Sequence, residues 1–147
     1  MKHSADGPRH PRLRQLLHYW QSKRRDAALP GRVDVDPLDF PYVLGDIVLV
    51  DVTDDPLDFR FRLIGTNILA KYGVDLTGKS VEEFPEPEAR AVALARCREV
   101  VRDRQPIHTE RSLVLDGRRW AYSVLWLPLA TDGAKVDMIL CAQIFDP

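Results

Sequence analysis

The residues that could support catalysis are few and are scattered along the chain. Tyr72, His108 and Tyr122 can donate or accept a proton, whereas the acids occur mainly in turn-rich segments. One Asp, one His and one Tyr meeting in an apolar cavity would suffice for a small isomerase or dehydratase. The sequence holds no GxSxG, HExxH or GxGxxG motif. We therefore predict a non-enzymatic protein, with a small α+β enzyme of this kind as the alternative.

The two cysteines, Cys97 and Cys141, stand far apart and lack any CxxC or Cys/His spacing. This pattern argues against a disulfide framework and against a structural zinc site. We therefore interpret both residues as buried thiols, and no metal site is predicted.

Charge is divided between a basic first part of the chain and an acidic remainder. Residues 1–32 hold eight lysines and arginines against two acids, and residues 33–147 hold thirteen against twenty. A basic arm of this kind docks on the acidic body of its own chain or of a second copy, or it attracts nucleic acid. We expect that the arm docks on the acidic body of its own chain or of a second copy, or that it is simply solvated, and a nucleic-acid-binding regulator is the alternative.

Length and composition favour one cytoplasmic domain. The 147 residues are 45% hydrophobic and 29% charged, which is enough for one domain with its own core. No stretch of eighteen apolar residues is present, and the N-terminal segment lacks the apolar centre of a secretory signal. The sequence therefore predicts neither membrane insertion nor export.

Apolar residues near the N-terminus recur with the period of a helix. Residues 1–10 are predicted to be a disordered leader, and residues 11–26 a helical unit with its helix at 11–24. Pro11 suits the first turn of such a helix. The apolar stripe needs a cover, either the sheet of the same chain or the helix of a partner. The stripe consists of Leu13, Leu16, Leu17 and Trp20.

The rest of the chain alternates between strands and short helices. Prolines and aspartates make residues 27–45 a turn-rich connector, which leads into a predicted core of residues 46–147. Asn67 is expected to cap a short helix that stops at Gly73. The predicted strands are 46–52, 59–65, 107–115, 119–130 and 136–145, and the predicted helices of the core are 67–72 and 87–103. This order is typical of an α+β domain with one five-stranded antiparallel sheet flanked by short helices.

Alternation in the second predicted strand indicates a core wall. Phe59, Phe61 and Leu63 are expected to point inward, while Arg60 and Arg62 point outward. Because the outward face carries two arginines and no aromatic residue, it is a poor platform for nucleic acid.

The strand at 119–130 is apolar on both faces, so both faces of the sheet need a cover. We predict that the N-terminal helix or a second copy of the chain covers the face of Tyr122 and Trp126. Small side chains on the other face leave room for a ligand. The candidate ligand-binding residues are Phe61, Leu69, Tyr72, Arg111, Ser123 and Leu125. The candidate docking residues are Leu13, Leu16, Leu17, Trp20, Tyr122 and Trp126.

Two pairs of short segments carry the most distinctive pattern of the sequence. They are FRLIGT (61–66) with YGVDLTGK (72–79), and DGRRW (116–120) with LPLATDGAKVDM (127–138). Together they resemble the PAS domain family, and more closely a bacterial subfamily of short, stand-alone PAS proteins. The resemblance implies a five-stranded antiparallel sheet with flanking helices and, between them, a space that often holds a small molecule. It also implies a sensory or regulatory role in signal transduction, without naming the ligand.

The cofactor-binding devices of PAS proteins are not matched by this sequence. Flavin-binding photoreceptors of the family carry an NCRFLQ-like cysteine segment, where this chain has NILAKYG (67–73) without cysteine. Haem-binding members use a histidine on the long helix or a neighbouring loop, and residues 87–103 contain none. The sequence therefore has no haem or flavin signature, and the identity of any cofactor is left open.

These features predict a cytoplasmic sensory protein that binds a small molecule or a protein partner. The resemblance implies a homodimer, since PAS domains often pair through N-terminal helices and sheet faces. We expect the N-terminal helix to carry dimerisation or signal transmission. No kinase, cyclase or DNA-binding domain is expected in the same chain, so the output would pass through another protein, the oligomeric state or the basic arm.

Overall fold

In the part of the chain that the structure describes, three helices and five strands follow one another in the predicted order. The computed structural model of the protein describes residues 7–54 and 56–147, so most of the predicted leader, residues 1–6, lies outside it. The helices are α1 (Pro11–Ser22), α2 (Thr66–Tyr72) and α3 (Pro87–Asp103). The strands are β1 (Ile47–Thr53), β2 (Asp58–Ile64), β3 (Ile107–Leu115), β4 (Arg118–Leu129) and β5 (Met138–Phe145).

The strands form a single antiparallel sheet in the order β2-β1-β5-β4-β3. Strands β3 and β4 are joined by a tight turn at Asp116 and Gly117, which both adopt positive φ angles, of 51° and 75°. This is the backbone that a two-residue hairpin turn requires. The predicted α+β class with a five-stranded antiparallel sheet is thus confirmed.

One part of the β2 prediction is wrong. Phe59 and Phe61 are buried as expected, but 42% of Leu63 is exposed. The pairing of β1 with β2 skips Arg62 between the pairs Leu49–Leu63 and Val50–Phe61. Such a bulge adds one residue to one strand and therefore shifts the alternation of the residues beyond it. Leu63 consequently turns away from the core.

The start of α2 is fixed by close backbone contact. The amide of Gly65 donates to the carbonyl of Ile47 at 2.7 Å, and a Cβ at Gly65 would lie 2.3 Å from the carbonyl oxygen of Gly45. Gly65, and not the predicted Asn67, is the N-cap. The Asn67 side chain instead donates to Asp46 at 3.0 Å.

Helix α1 lies on one face of the sheet. Leu13, Leu16 and Trp20 are each no more than 1% exposed, and the indole Nε1 of Trp20 donates to the carbonyl of Pro128 at 2.9 Å. Burying each such side chain contributes roughly 1.5–3 kcal/mol. The chain's own sheet therefore covers the apolar stripe, which was one of the two covers expected.

Helix α3 covers the opposite face. Glu86 caps its N-terminus by accepting hydrogen bonds from the amides of Glu88 and Ala89, and Pro87 occupies its first position. The helix ends where Arg104 adopts a φ of 56°. Cys97 and Val100 are buried against the sheet side.

The connector between α1 and β1 consists of three 3₁₀ turns, Arg32–Asp34, Pro37–Asp39 and Pro41–Asp46. Its aspartates cap backbone amides, as turn chemistry requires: Asp34 accepts from Gly31, and Asp36 from Leu38. Several of its apolar side chains join the core, namely Val35, Phe40 and Val43.

Candidate functional site

A cavity of about 70 Å³ lies between the sheet and α3. A site needs only ~10–15 Å³ to hold one water, so this space admits a larger guest. The lining residues are Val48, Val50, Phe61, Tyr72, Val81, Phe84, Ala89, Val92, Ala93, Cys97, Tyr122, Val124, Trp126, Cys141 and Gln143. Four strands, β1, β2, β4 and β5, contribute lining residues, together with α2, α3 and the turn that follows α2.

The cavity exists because small residues of α3 face large residues of the sheet. Ala89, Ala93 and Cys97 follow one another at intervals of four, so they share one side of the helix. Across from them lie the aromatic rings of Phe61 and Trp126. The short side chains leave the space that longer ones would fill.

The polar end of the cavity is formed by Tyr72 and Gln143. The amide Nε2 of Gln143 donates to the hydroxyl oxygen of Tyr72 at 2.8 Å. Burial raises the pKa of Tyr72, although the hydrogen bond from Gln143 acts in the opposite direction. The hydroxyl is therefore neutral across the physiological range, and it can donate its proton to a guest.

Tyr122 and a group of charges lie near the same end. Burial raises the pKa of the Tyr122 hydroxyl, while the charge of Arg111 lowers it and Glu86 and Glu88 raise it. The Arg111 guanidinium lies 3.6 Å from the Glu88 carboxylate, which ties β3 to the first turn of α3. This end of the cavity is thus the end at which polar groups gather.

Aromatic rings surround Tyr72 and restrict its position. Its ring meets Phe84 edge-on at 4.8 Å between centroids and Phe145 at 5.8 Å. Phe84 in turn lies 6.4 Å from Phe61. These are distances at which aromatic pairs attract one another. A guest in the cavity would therefore contact a tyrosine that neighbouring rings hold in place.

The two thiols that line the cavity are poor nucleophiles. Burial raises the pKa of the Cys97 thiol to about 12 and that of Cys141 well above its ordinary value. Since the thiolate is the reactive form, both side chains act as apolar lining. The expectation of two buried thiols is confirmed.

Of the six predicted ligand-binding residues, Phe61 and Tyr72 line the cavity and four do not. Leu69 lies on α2 outside the lining, and Ile68 is the buried residue of that helix. Arg111 stands near the polar end without lining it. Their roles in binding stay predictions.

The two faces of β4 are exchanged relative to the expectation. Tyr122 and Trp126, predicted to dock a helix or a partner, line the cavity on the α3 side. Leu125, predicted to bind a ligand, lies on the other face beside Leu17 of α1, and Ser123 shares that face by alternation. The alternation was predicted correctly, but two apolar faces look alike in sequence, so the pattern did not say which helix covers which face.

Gln143 and Phe84 belong to the cavity and were not predicted. Gln143 had a usable signal, because it is the one polar side chain within the apolar run MILCAQIF of β5. A polar residue facing a buried surface marks a site when it finds a partner there. Phe84 lies after a 3₁₀ turn and had no comparable signal.

The catalytic set considered for an enzyme is not assembled. His108 pairs across the sheet with Leu125 and shares a surface depression with Leu17, on the α1 side. Tyr72 and Tyr122 lie on the α3 side. The sheet therefore separates the histidine from both tyrosines.

Residues 73–80, GVDLTGKS, have the spacing of a phosphate-binding loop. Such a loop joins a strand to a helix and directs its free amides at the phosphate. Here the segment follows α2 and leads into a 3₁₀ turn, and the amides of Gly78 and Lys79 donate to the carbonyls of Phe61 and Leu76. The spacing does not produce a phosphate cradle in this fold.

Asp46 links the cavity side of the molecule to α1. Asp46 is 7% exposed, and its carboxylate accepts hydrogen bonds from two helices. Asn67 of α2 donates at 3.0 Å, and the Arg12 guanidinium of α1 donates at 3.0 Å while also reaching the carbonyl of Tyr42. The helix that presents Tyr72 to the cavity is thus joined through one carboxylate to the N-terminal helix.

Comparison with solved structures places this architecture among PAS domains. The PAS domain of Bordetella pertussis BvgS superposes with a TM-score of 0.57 at 22% identity, covering 77% of this chain and 88% of that one. A fungal LOV domain photoreceptor gives a TM-score of 0.50 at 16% identity, covering 89% of each chain. At these identities the likeness concerns the fold. A search of curated proteins found no match.

The family follows from the sequence as well as from the fold. Residues 8–143 match the model of the PAS domain family. The chain therefore belongs to that family, as the segments quoted above indicated. PAS domains are typically sensory and non-enzymatic, and they commonly dimerise and bind partners or small molecules. Across residues 7–54 and 56–147, no helix has the length and apolar character needed to cross a bilayer.

Proposed function

We propose that this chain is a sensory module that binds a small, largely apolar molecule in the cavity between the sheet and α3. The observation that carries the proposal is the cavity itself, apolar along its walls and equipped with a hydrogen-bonding pair, Tyr72 and Gln143, at one end. Ligand sites generally combine apolar walls with a few placed polar groups. The guest would therefore be a compact apolar body with one hydrogen-bonding group.

Signal transmission would run from α2 to α1. A guest that moved Tyr72 would move α2, and Asp46 couples α2 to Arg12 of α1. A ligand shifts such an equilibrium only if it binds one arrangement of the helices better than the other. We propose that the arrangement of α1 on the sheet is the output.

The output would then be read by a second copy of the chain or by another protein in the cytoplasm. The face of α1 turned away from the sheet is exposed and polar, and it is available for such a contact. Its exposed residues are Arg14, Gln15, His18 and Gln21. A homodimer through this face belongs to the proposal.

Phenol is a suitable first probe, because it combines an apolar ring with one hydroxyl. We expect saturable binding in which the NMR signals of Tyr72 and the Gln143 side-chain amide shift. Ala93→Leu should fill part of the cavity and abolish the shifts, whereas Ala70→Leu, on the exposed side of α2, should leave them unchanged. Circular dichroism would verify that both variants fold.

The proposal fails if phenol produces no saturable shift in the native protein. It also fails if folded Ala93→Leu binds phenol as the native protein does, since binding would then lie elsewhere. Should Ala93→Leu not fold, Tyr72→Phe provides the second test, with weaker binding expected from the loss of one hydrogen bond.

A further inference from the structure

A second concave region lies on the outside of α2, where that helix meets the turn between β3 and β4. It is separate from the cavity and shares no lining residue with it. The residues that line it are Asn67, Ala70, Lys71, Leu115, Asp116, Arg118 and Trp120. This region is called the α2 cleft below.

Two cations of the α2 cleft lie against one indole ring. The Nζ of Lys71 is 3.3 Å from the centroid of Trp120, and the guanidinium carbon of Arg118 is 3.9 Å from it. Both cations lie against one ring, so the two positive charges are no more than about 7 Å apart.

Neither cation has a carboxylate counterion in the part of the chain that the structure describes. The arginines and lysines paired with acids there include Arg12, Arg60, Arg111 and Lys135, but neither Lys71 nor Arg118. The indole quadrupole attracts each cation without neutralising it. Two like charges are thus held close together at a concave surface, and an anion between them would lower their repulsion.

We propose that the α2 cleft binds a small oxyanion, a phosphate or carboxylate group, at the edge of Trp120 between Lys71 and Arg118. Arginine offers parallel N–H donors to such a group, and lysine adds a compact charge. A phosphate or a carboxylate is wide enough to bridge the two cations, with Lys71 and Arg118 each donating one hydrogen bond to it. This site is independent of the apolar cavity and goes beyond the proposed function.

Asp116 gives the proposal an internal test. It lines the α2 cleft, but forms no ion pair with either cation among the described residues. Its carboxylate would repel an incoming anion. Removing that charge should therefore strengthen binding, whereas removing either cation should weaken it.

The experiment is a titration with sodium phosphate, and separately with sodium acetate, at an ionic strength held constant with chloride. The indole N–H signal of Trp120, assigned with Trp120→Phe, reports the site. We expect a saturable shift with phosphate, acetate or both, and the comparison tells which oxyanion the site prefers. Arg118→Gln and Lys71→Gln should each weaken binding by about tenfold or more. Asp116→Asn should strengthen it severalfold.

Lys79→Gln is the matched control, because Lys79 is exposed and belongs to the segment with phosphate-loop spacing. It should leave the affinity unchanged. The proposal is overturned if neither anion gives a saturable shift, or if Lys79→Gln weakens binding as much as Arg118→Gln does. Unchanged affinity in Arg118→Gln, shown by circular dichroism to be folded, would also overturn it.

Discussion

The hydroxyl of Tyr72 and the amide of Gln143 form the polar end of an otherwise apolar cavity. Tyr72→Phe removes the hydroxyl and leaves the amide without that partner. We expect the free energy of unfolding to fall by about 1 kcal/mol, the usual net contribution of such a hydrogen bond. Urea denaturation measures the change. Tyr42→Phe is the control, since no hydrogen bond of its hydroxyl is present among the described residues, and an equal loss there would contradict the assignment.

His108 of β3 is a buried titratable group beside Gly7, Pro8 and Leu17. It is 4% exposed, and neither ring nitrogen has a hydrogen-bond partner among the described residues. Its charged neighbours are Glu110, 3.6 Å away, and Arg9. Burial lowers the pKa of His108, Arg9 lowers it further, and Glu110 opposes them. The imidazole is therefore neutral in the folded protein at physiological pH.

The pKa of His108 predicts a specific pH dependence. Because the folded-state pKa is the lower one, the unfolded chain binds more protons in this range, so stability rises with pH. The contribution is complete above the ordinary histidine pKa of about 6.5 and is lost as the pH falls toward the folded-state value. His108→Gln should flatten this part of the stability profile. His18→Gln, on the exposed face of α1, should not, and equal profiles for native protein and His108→Gln would refute the prediction.

At the scale of elements, Asp46 is the contact shared by α1, α2 and the turn before β1. Asp46→Asn removes the charge that holds Arg12 and replaces one of the two acceptor oxygens with an NH2 donor, which then faces the donor of either Arg12 or Asn67. Since this pair is partly buried, we expect a loss of about 1–3 kcal/mol in the free energy of unfolding. Faster amide hydrogen exchange in α1 should accompany it.

Asp51→Asn provides the comparison for that prediction. Asp51 pairs with Arg62 at 3.6 Å, and both side chains are substantially exposed. Pairs of this kind contribute about 0–1 kcal/mol. If the two substitutions cost the same, or if α1 exchanges normally in Asp46→Asn, Asp46 does not hold α1 in place.

Local patterns predicted the elements well, and contacts between elements account for the differences. Helix 87–103 and strand 107–115 were predicted at the bounds observed, because caps and alternation are encoded in neighbouring residues. Leu63 was misplaced because a bulge depends on the partner strand. Asn67 was given the role of a cap because its attraction to Asp46, 21 residues earlier, has no local signature.

For the whole molecule, the fold was predictable from the sequence, but which helix packs on which face of the sheet was not. The segments quoted for the PAS resemblance cover strands and turns that set the topology, and the family model confirms that topology class. The cavity depends on which face of β4 meets α3. Both faces of that strand are apolar, so the pattern alone does not tell which face α1 covers, whereas the structure places Leu17 of α1 beside Leu125. The side chains that line the cavity could therefore be assigned only from the three-dimensional structure.

The central claim is that filling the cavity changes how α1 lies on the sheet. Amide hydrogen exchange of the native protein, measured with and without saturating phenol, tests it directly. The account predicts changed protection in α2 and in residues 11–22 on binding, and loss of the α1 response in Asp46→Asn. Bound phenol, established by shifted Tyr72 and Gln143 signals, together with unchanged exchange throughout α1 would contradict it.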